Sequence, residues 1–126
     1  MIIAVDFDGT CVDHRFPDVG PDVPLCAQTL KDLTLAGHQL ILWTMRSDNR
    51  KDGTNPLTEA INWFRERQIP LYGIQRNPSQ DEWTSSPKCY ANVYIDDAAF
   101  GAPLVSFPEF HRPAINWLVV REFFQI

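Results

Sequence analysis

The sequence predicts an α/β fold in which a mostly parallel central sheet is flanked by helices. Three observations carry that prediction. Short apolar runs alternate with segments of helical spacing in the order β, α, β, α, β, loop, β, β, α, and right-handed crossovers between such strands make them parallel. The first of these runs is apolar throughout, as a strand covered on both faces is. Acidic, hydroxyl or polar residues follow directly at the carboxyl ends of the strands, where open sheets of this kind bind ligands.

Residues 2–5 (IIAV) read as the first strand, after which the chain turns polar in Asp6-Phe7-Asp8-Gly9-Thr10. A Pro- and Asp-rich stretch over 16–24 leads to a helix over 25–36. Its stripe is Leu25, Cys26, Leu30, Leu33 and Ala36, and Gly37 is its stop. Residues 39–43 form a second buried strand that ends at Thr44, and 45–55 a polar loop. Asn55-Pro56 is a cap followed by Pro at the first helical position; the helix it opens carries Leu57, Ala60, Ile61 and Phe64 on one stripe. Pro70 precedes a third strand over 71–75, and 76–87 is a long polar loop with room for a helical turn at 81–83. A fourth strand over 93–95 ends at Asp96-Asp97, and 104–107 is a short fifth. Pro113 opens a last helix whose Ala114, Ile115, Trp117, Leu118, Val119, Val120, Phe123 and Phe124 are apolar almost all round. Such a helix packs either wholly in the core, or partly in the sheet's flank and partly against another subunit in a homo-oligomer.

Composition narrows the function classes. At 126 residues and 44% hydrophobic, the chain is expected to be one folded domain spanning 1–126, burying about two-thirds of its unfolded surface. No apolar run approaches the roughly 20 residues of a membrane span, and the N-terminal apolar run lacks the basic flank of a secretory signal. Cys11, Cys26 and Cys89 form no CxxC pair and leave an odd thiol, which points to a reducing, cytoplasmic compartment. A net charge of −5 argues against a general nucleic-acid coat or a binder of acidic membranes, while leaving room for a local basic patch.

The strand ends bring Asp6, Asp8, Asp96 and Asp97 together with Thr44 at one sheet edge, and like charges held that close call for a bound cation. Carboxylate oxygens are what Mg²⁺ selects. Asp6 and Asp8, two apart in an extended segment, can share a face, and Gly9 lets the backbone turn away and expose amide N–H groups. Asp8-Gly9 alone is ordinary turn chemistry, and a lone Thr44 can satisfy its own backbone.

The set, taken in order, resembles the haloacid dehalogenase-like superfamily of phosphatases across nearly the whole chain. IIAVDFDGT matches the family's DxDxT or DxDxV motif after an apolar strand; LILWT supplies the strand-end Thr44; SPK supplies a basic residue, Lys88; and VYIDD supplies the acidic pair Asp96 and Asp97. The resemblance implies a Rossmann-like three-layer core and phosphate-ester hydrolysis. Asp6 would be the nucleophile and Asp8 the general acid and base. Thr44 would bind a phosphoryl oxygen alongside amides near Phe7, Asp8 and Met45. Lys88 would pair with Asp6 and the phosphoryl group. Mg²⁺ would be held by Asp6, the Asp8 carbonyl and Asp96, with Asp97 acting through water or on Lys88.

Neither interval in which the family inserts a cap domain is long enough for one, so the chain resembles the small capless type. Cover is left to 11–24, 45–55 and 76–87. Arg46, with Arg50 and Lys51 as lesser candidates, is expected to read a second anionic group, and His14, Arg15 and Trp83 lie where they can border the cleft. The expected partner is a small phosphorylated substrate, with neither membrane nor general nucleic-acid binding. The alternatives are a phosphate- or nucleotide-binding module without turnover, and a nucleic-acid end phosphatase or phosphotransferase. No loop carries a motif that names the substrate.

Overall fold

In a computed structural model describing residues 1–126, four strands form one parallel sheet: β1 (Ile2–Val5), β2 (Gln39–Leu42), β3 (Gly73–Ile74) and β4 (Val93–Ile95), in the order β3-β2-β1-β4. Ile3 stands between Leu40 and Val93, and Ile41 pairs with Gly73. The ladder runs past the formal strand ends, since Asp6 N–H donates to Ile95 O at 2.9 Å and Gln75 N–H to Leu42 O at 2.8 Å. All the carboxyl ends therefore open on one edge.

The helices are α1 (Cys26–Leu35), α2 (Pro56–Glu66) and α3 (Trp117–Phe124). Steps from β1 to β2 to β3 run in one direction, so right-handed crossovers place α1 and α2 on the same face. There Ile3, Val5, Leu40 and Leu42 share a buried core with Leu30 and Leu33 of α1, Trp63 and Phe64 of α2, and Trp117 and Val120 of α3. The return from β3 to β4 runs the opposite way and covers the other face with residues 75–92, which include a 3₁₀ turn (Gln80–Glu82). The buried Gln80 amide ties this segment together. It donates to Ser86 O at 3.0 Å and Lys88 O at 2.8 Å, and accepts from Tyr90 N–H at 2.8 Å. The fold is thus the expected Rossmann-like three-layer α/β type, with a loop layer in place of helices on one face.

Local differences from the sequence reading have physical causes. Gly37, at φ +95°, ends α1 as expected, with His38 N–H closing on Leu33 O at 3.0 Å. The Asn55 side chain does not cap α2; it accepts from Asn49 N–H at 3.0 Å, and Asp48 takes over by accepting from Thr58 N–H at 2.9 Å. The fifth strand, β5 (Leu104–Val105), does not join the main sheet but pairs antiparallel with β6 (Ala114–Ile115). Pro113 therefore precedes a strand, and α3 starts four residues later, capped by Asn116, whose side chain accepts from Leu118 N–H at 3.1 Å. Leu118, Val119 and Phe123 of α3 remain exposed. No helix is long and apolar enough to cross a membrane.

Candidate active site

The loop after β1 is wound tightly under the site. Cys11 N–H and Thr10 N–H both donate to Phe7 O, at 2.8 and 3.2 Å, and Gly9 N–H to Val12 O at 2.7 Å. Gly9 sits at φ +83°, and a Cβ there would collide with the Asp97 carboxylate. Glycine is needed on both counts. Thr10, fully buried, donates its hydroxyl to Asp6 Oδ2 at 3.1 Å and accepts from Asp97 N–H at 3.2 Å. One side chain thereby fixes the first acidic segment against the last, a role that the sequence reading left unassigned.

Asp6, Asp96 and Asp97 each offer a carboxylate oxygen within 4.8 Å of the other two. Burial, reinforced by the charge of Asp96 and by Asp97, pushes the Asp6 carboxyl up to about 8. Burial likewise raises Asp97, with Asp96 adding to it. Three hard oxygen donors whose charges repel one another suit a divalent cation of the Mg²⁺ kind. The Asp8 side chain is not part of this triad, while its carbonyl accepts no hydrogen bond within the chain.

A carboxyl whose folded-state value exceeds its unfolded one stabilises the fold fully below the unfolded value, and that stability is lost as pH rises through the folded value. For Asp6 the window runs from 3.8 to about 8. A divalent cation held by this triad would bind its ionised carboxylates, so the gain in melting temperature with Mg²⁺ over chelator-treated protein is expected to grow from pH 5 to pH 8. A gain that stays flat across that range would mean that the three carboxyls do not act as one site. His38, held low by burial and then by the charged N-terminus, contributes equally with and without Mg²⁺ and cancels in this difference.

Asp8 instead faces Arg46, and here the structure corrects the sequence reading. Arg46 is 1% exposed and spends all five of its N–H donors inside the chain. Nε and Nη2 grip the two Asp8 oxygens at 2.8 Å each; the others reach the carbonyls of Asp18 at 2.8 Å, Pro56 at 3.1 Å and Pro17 at 3.3 Å. It has no donor left for a substrate. Arg50 lies over the Phe16 ring, 5.1 Å from its centroid, and 3.6 Å from Asp52, and neither it nor Lys51 lines the cleft.

Thr44 is in place. Its hydroxyl accepts from Arg46 N–H at 3.2 Å, which leaves its own proton free. Gln75 braces the backbone there, accepting from Thr44 N–H at 2.9 Å and donating to Thr44 O at 2.7 Å. The N–H groups of Asp8 and Met45 donate to no acceptor within the chain. Asp6, Asp8, Thr44, Met45, Asp96 and Asp97 line one cleft of about 490 Å³, with His14, Phe16 and Arg112 at its border. Trp83 and Arg15 do not line it.

Lys88 does not form the expected pair with Asp6. Its backbone is held by Gln80, and its ammonium lies 5.8 Å from the centre of the Tyr94 ring, with no carboxylate within 4.0 Å. It lines a second, smaller cleft of about 280 Å³ behind the sheet edge, which Asp6 and Asp96 also line. Asp6 thus lines both clefts, with Thr44 in the first and Lys88 in the second.

No protein-family model and no curated protein matches the chain. Among solved structures, a conserved protein from Bacteroides thetaiotaomicron is similar at a TM-score of 0.77 and 34% identity, over 99% of this chain and 89% of that one. With that identity held over nearly the full length of both, the chain belongs to the same family as this conserved Bacteroides thetaiotaomicron protein.

Proposed function

We propose that the protein is a Mg²⁺-dependent phosphomonoester hydrolase of the capless haloacid dehalogenase-like type. The observation that carries this reading is the single cleft that gathers the Asp6–Asp96–Asp97 triad, Asp8, the free Thr44 hydroxyl and the free N–H groups of Asp8 and Met45. These groups supply acceptors for a metal and donors for phosphoryl oxygens. A bound Mg²⁺ would offset the charge of the three carboxylates and of the phosphoryl oxygens.

Asp6 attacks phosphorus, and the bond to the leaving oxygen breaks as Asp8 gives that oxygen a proton. Water, losing its proton to Asp8, then splits the aspartyl-phosphate, which frees Asp6 and inorganic phosphate. Each Asp8 oxygen keeps a lone pair outside the Arg46 grip, so Asp8 can carry the proton while Arg46 holds its orientation. Thr44 and the two free N–H groups bind the phosphoryl oxygens. Lys88 and Asp6 share the second cleft. Three buried, free cysteines fit a reducing cytoplasm.

Release of nitrophenol from p-nitrophenyl phosphate is expected with Mg²⁺ and is expected to stop with chelator. Mg²⁺-dependent phosphate binding without any release, at high enzyme concentration and across pH 5–9, would mark a binding module instead and sink the hydrolase reading.

A further inference from the structure

We infer that Arg112 binds a second anionic group of the substrate, so that the site selects phosphate esters carrying another carboxylate or phosphate; this rests on the phosphate-binding reading of the cleft. The charges that line the cleft are Asp6, Asp8, Asp96, Asp97, Arg46 and Arg112. Arg46 and Asp8 neutralise each other, and the triad is the place for a cation. Arg112 is left as the one permanent cation of the cleft whose donors are unspent. It makes no hydrogen bond through its side chain and has no carboxylate within 4.0 Å. Its planar fork of donors suits carboxylate and phosphate oxygens alike.

The placement of Arg112 is built into the fold. Asp13, fully buried, points both its oxygens at the segment that carries Arg112. It accepts from His111 N–H at 3.1 and 2.9 Å and from Arg15 Nε at 2.9 Å, while Arg15 Nη2 reaches Glu109 O at 3.1 Å. Burial opposes the Asp13 charge, yet these donors, with the Arg112 N–H, outweigh it and hold the carboxyl below its ordinary value. A buried carboxylate is costly unless it is paired, and this one is paired almost wholly to hold residues 109–112 beside the loop after β1. Ile115 N–H to Gly9 O at 3.1 Å and Trp117 Nε1 to Thr10 O at 2.8 Å clamp the next stretch to that same loop. The far end of the chain is therefore fixed to the nucleophile loop, and it delivers one free guanidinium to the cleft. His14, which also makes no side-chain hydrogen bond, stands on the cleft's lining as a second donor.

The test is equilibrium binding of methylphosphonate, phosphonoacetate and methylenebisphosphonate at saturating Mg²⁺. The wild-type protein is expected to prefer at least one of the doubly anionic probes by about tenfold or more, as a charge-assisted bidentate contact does. The choice between carboxylate and phosphonate identifies the second group. Arg112→Ala is expected to reduce that preference to within about twofold, Arg112→Lys to restore part of it, and Arg50→Ala to leave it as it is. A wild-type protein without preference, or a preference that survives Arg112→Ala, overturns the inference. Binding is read directly, so an absence of hydrolysis in the wild-type protein counts against the hydrolase reading alone.

Discussion

Asp6→Asn is expected to lower turnover by about three orders of magnitude or more while making the metal-free protein more stable at pH 8. On the proposed mechanism the loss follows from chemistry, since an amide oxygen cannot replace an attacking carboxylate, and removing a nucleophile is among the largest single effects in enzymes. The gain follows from electrostatics. Asp6 is pushed up to about 8 by burial and by Asp96 and Asp97, so ionising it in the absence of metal works against the fold. Asparagine is isosteric and neutral, can still accept from the Thr10 hydroxyl, and offers N–H groups to the carboxylates beside it. The melting temperature of chelator-treated Asp6→Asn should exceed that of the wild type by about a few degrees at pH 8, and the difference should shrink as pH falls toward 3.8, the lower end of the window in which the unfolded chain gains by ionising Asp6. Mg²⁺ should add less to the variant than to the wild type, because one of three ligands has lost its charge. Undiminished turnover would eliminate Asp6 as the nucleophile. Lost turnover with no pH-dependent gain would keep the nucleophile but remove the repulsion argument.

How much of this was legible in the sequence depends on how local each cause is. The four main strands were readable because an apolar run and its polar end are contiguous. Parallel pairing then brought Asp6, Thr44, Asp96 and Asp97 to one edge without further information. Roles set by contacts between distant segments were not readable. Arg46 looked like a substrate ligand because it follows Thr44 by two residues, yet its acceptors come from residues 8, 17, 18 and 56. Arg112 carried no signal, since its place depends on Asp13, 99 positions earlier. The strand over 114–115 was hidden because Ala114-Ile115 reads as helix until Leu104-Val105 is seen to pair with it. Asn116, three residues after Pro113 and ahead of an apolar run, was the one missed cap with a local cue. For Lys88, order along the chain located the residue but not its direction, which Tyr94 and the Gln80-tied loop determine.

Arg46→Ala is expected to destabilise the protein by about 3–5 kcal/mol, the usual cost of breaking a buried ion pair by removing one partner. Arg46 is 1% exposed against 12% for the Asp8 side chain, so the carboxylate left behind is largely cut off from water. The carbonyls of Pro17, Asp18 and Pro56 lose donors as well. Against a typical total stability of about 5–15 kcal/mol, the variant should melt on the order of 10 °C lower. Arg46→Lys should recover only part of the loss, because one ammonium cannot grip two carboxylate oxygens and three carbonyls. A double-mutant cycle with Asp8→Ala separates the pair from the carbonyls, and a coupling of about 2 kcal/mol or more is expected between positions 8 and 46. If Arg46→Ala and the double variant are equally unstable and Asp8→Ala alone costs nothing, the carbonyl contacts carry the effect and Asp8 is not oriented by Arg46. A large coupling, with turnover falling in Arg46→Lys further than stability does, would identify Arg46 as a positioning residue for the proton carrier. In that case Arg46 serves Asp8 and leaves substrate recognition to residues that still have a free donor.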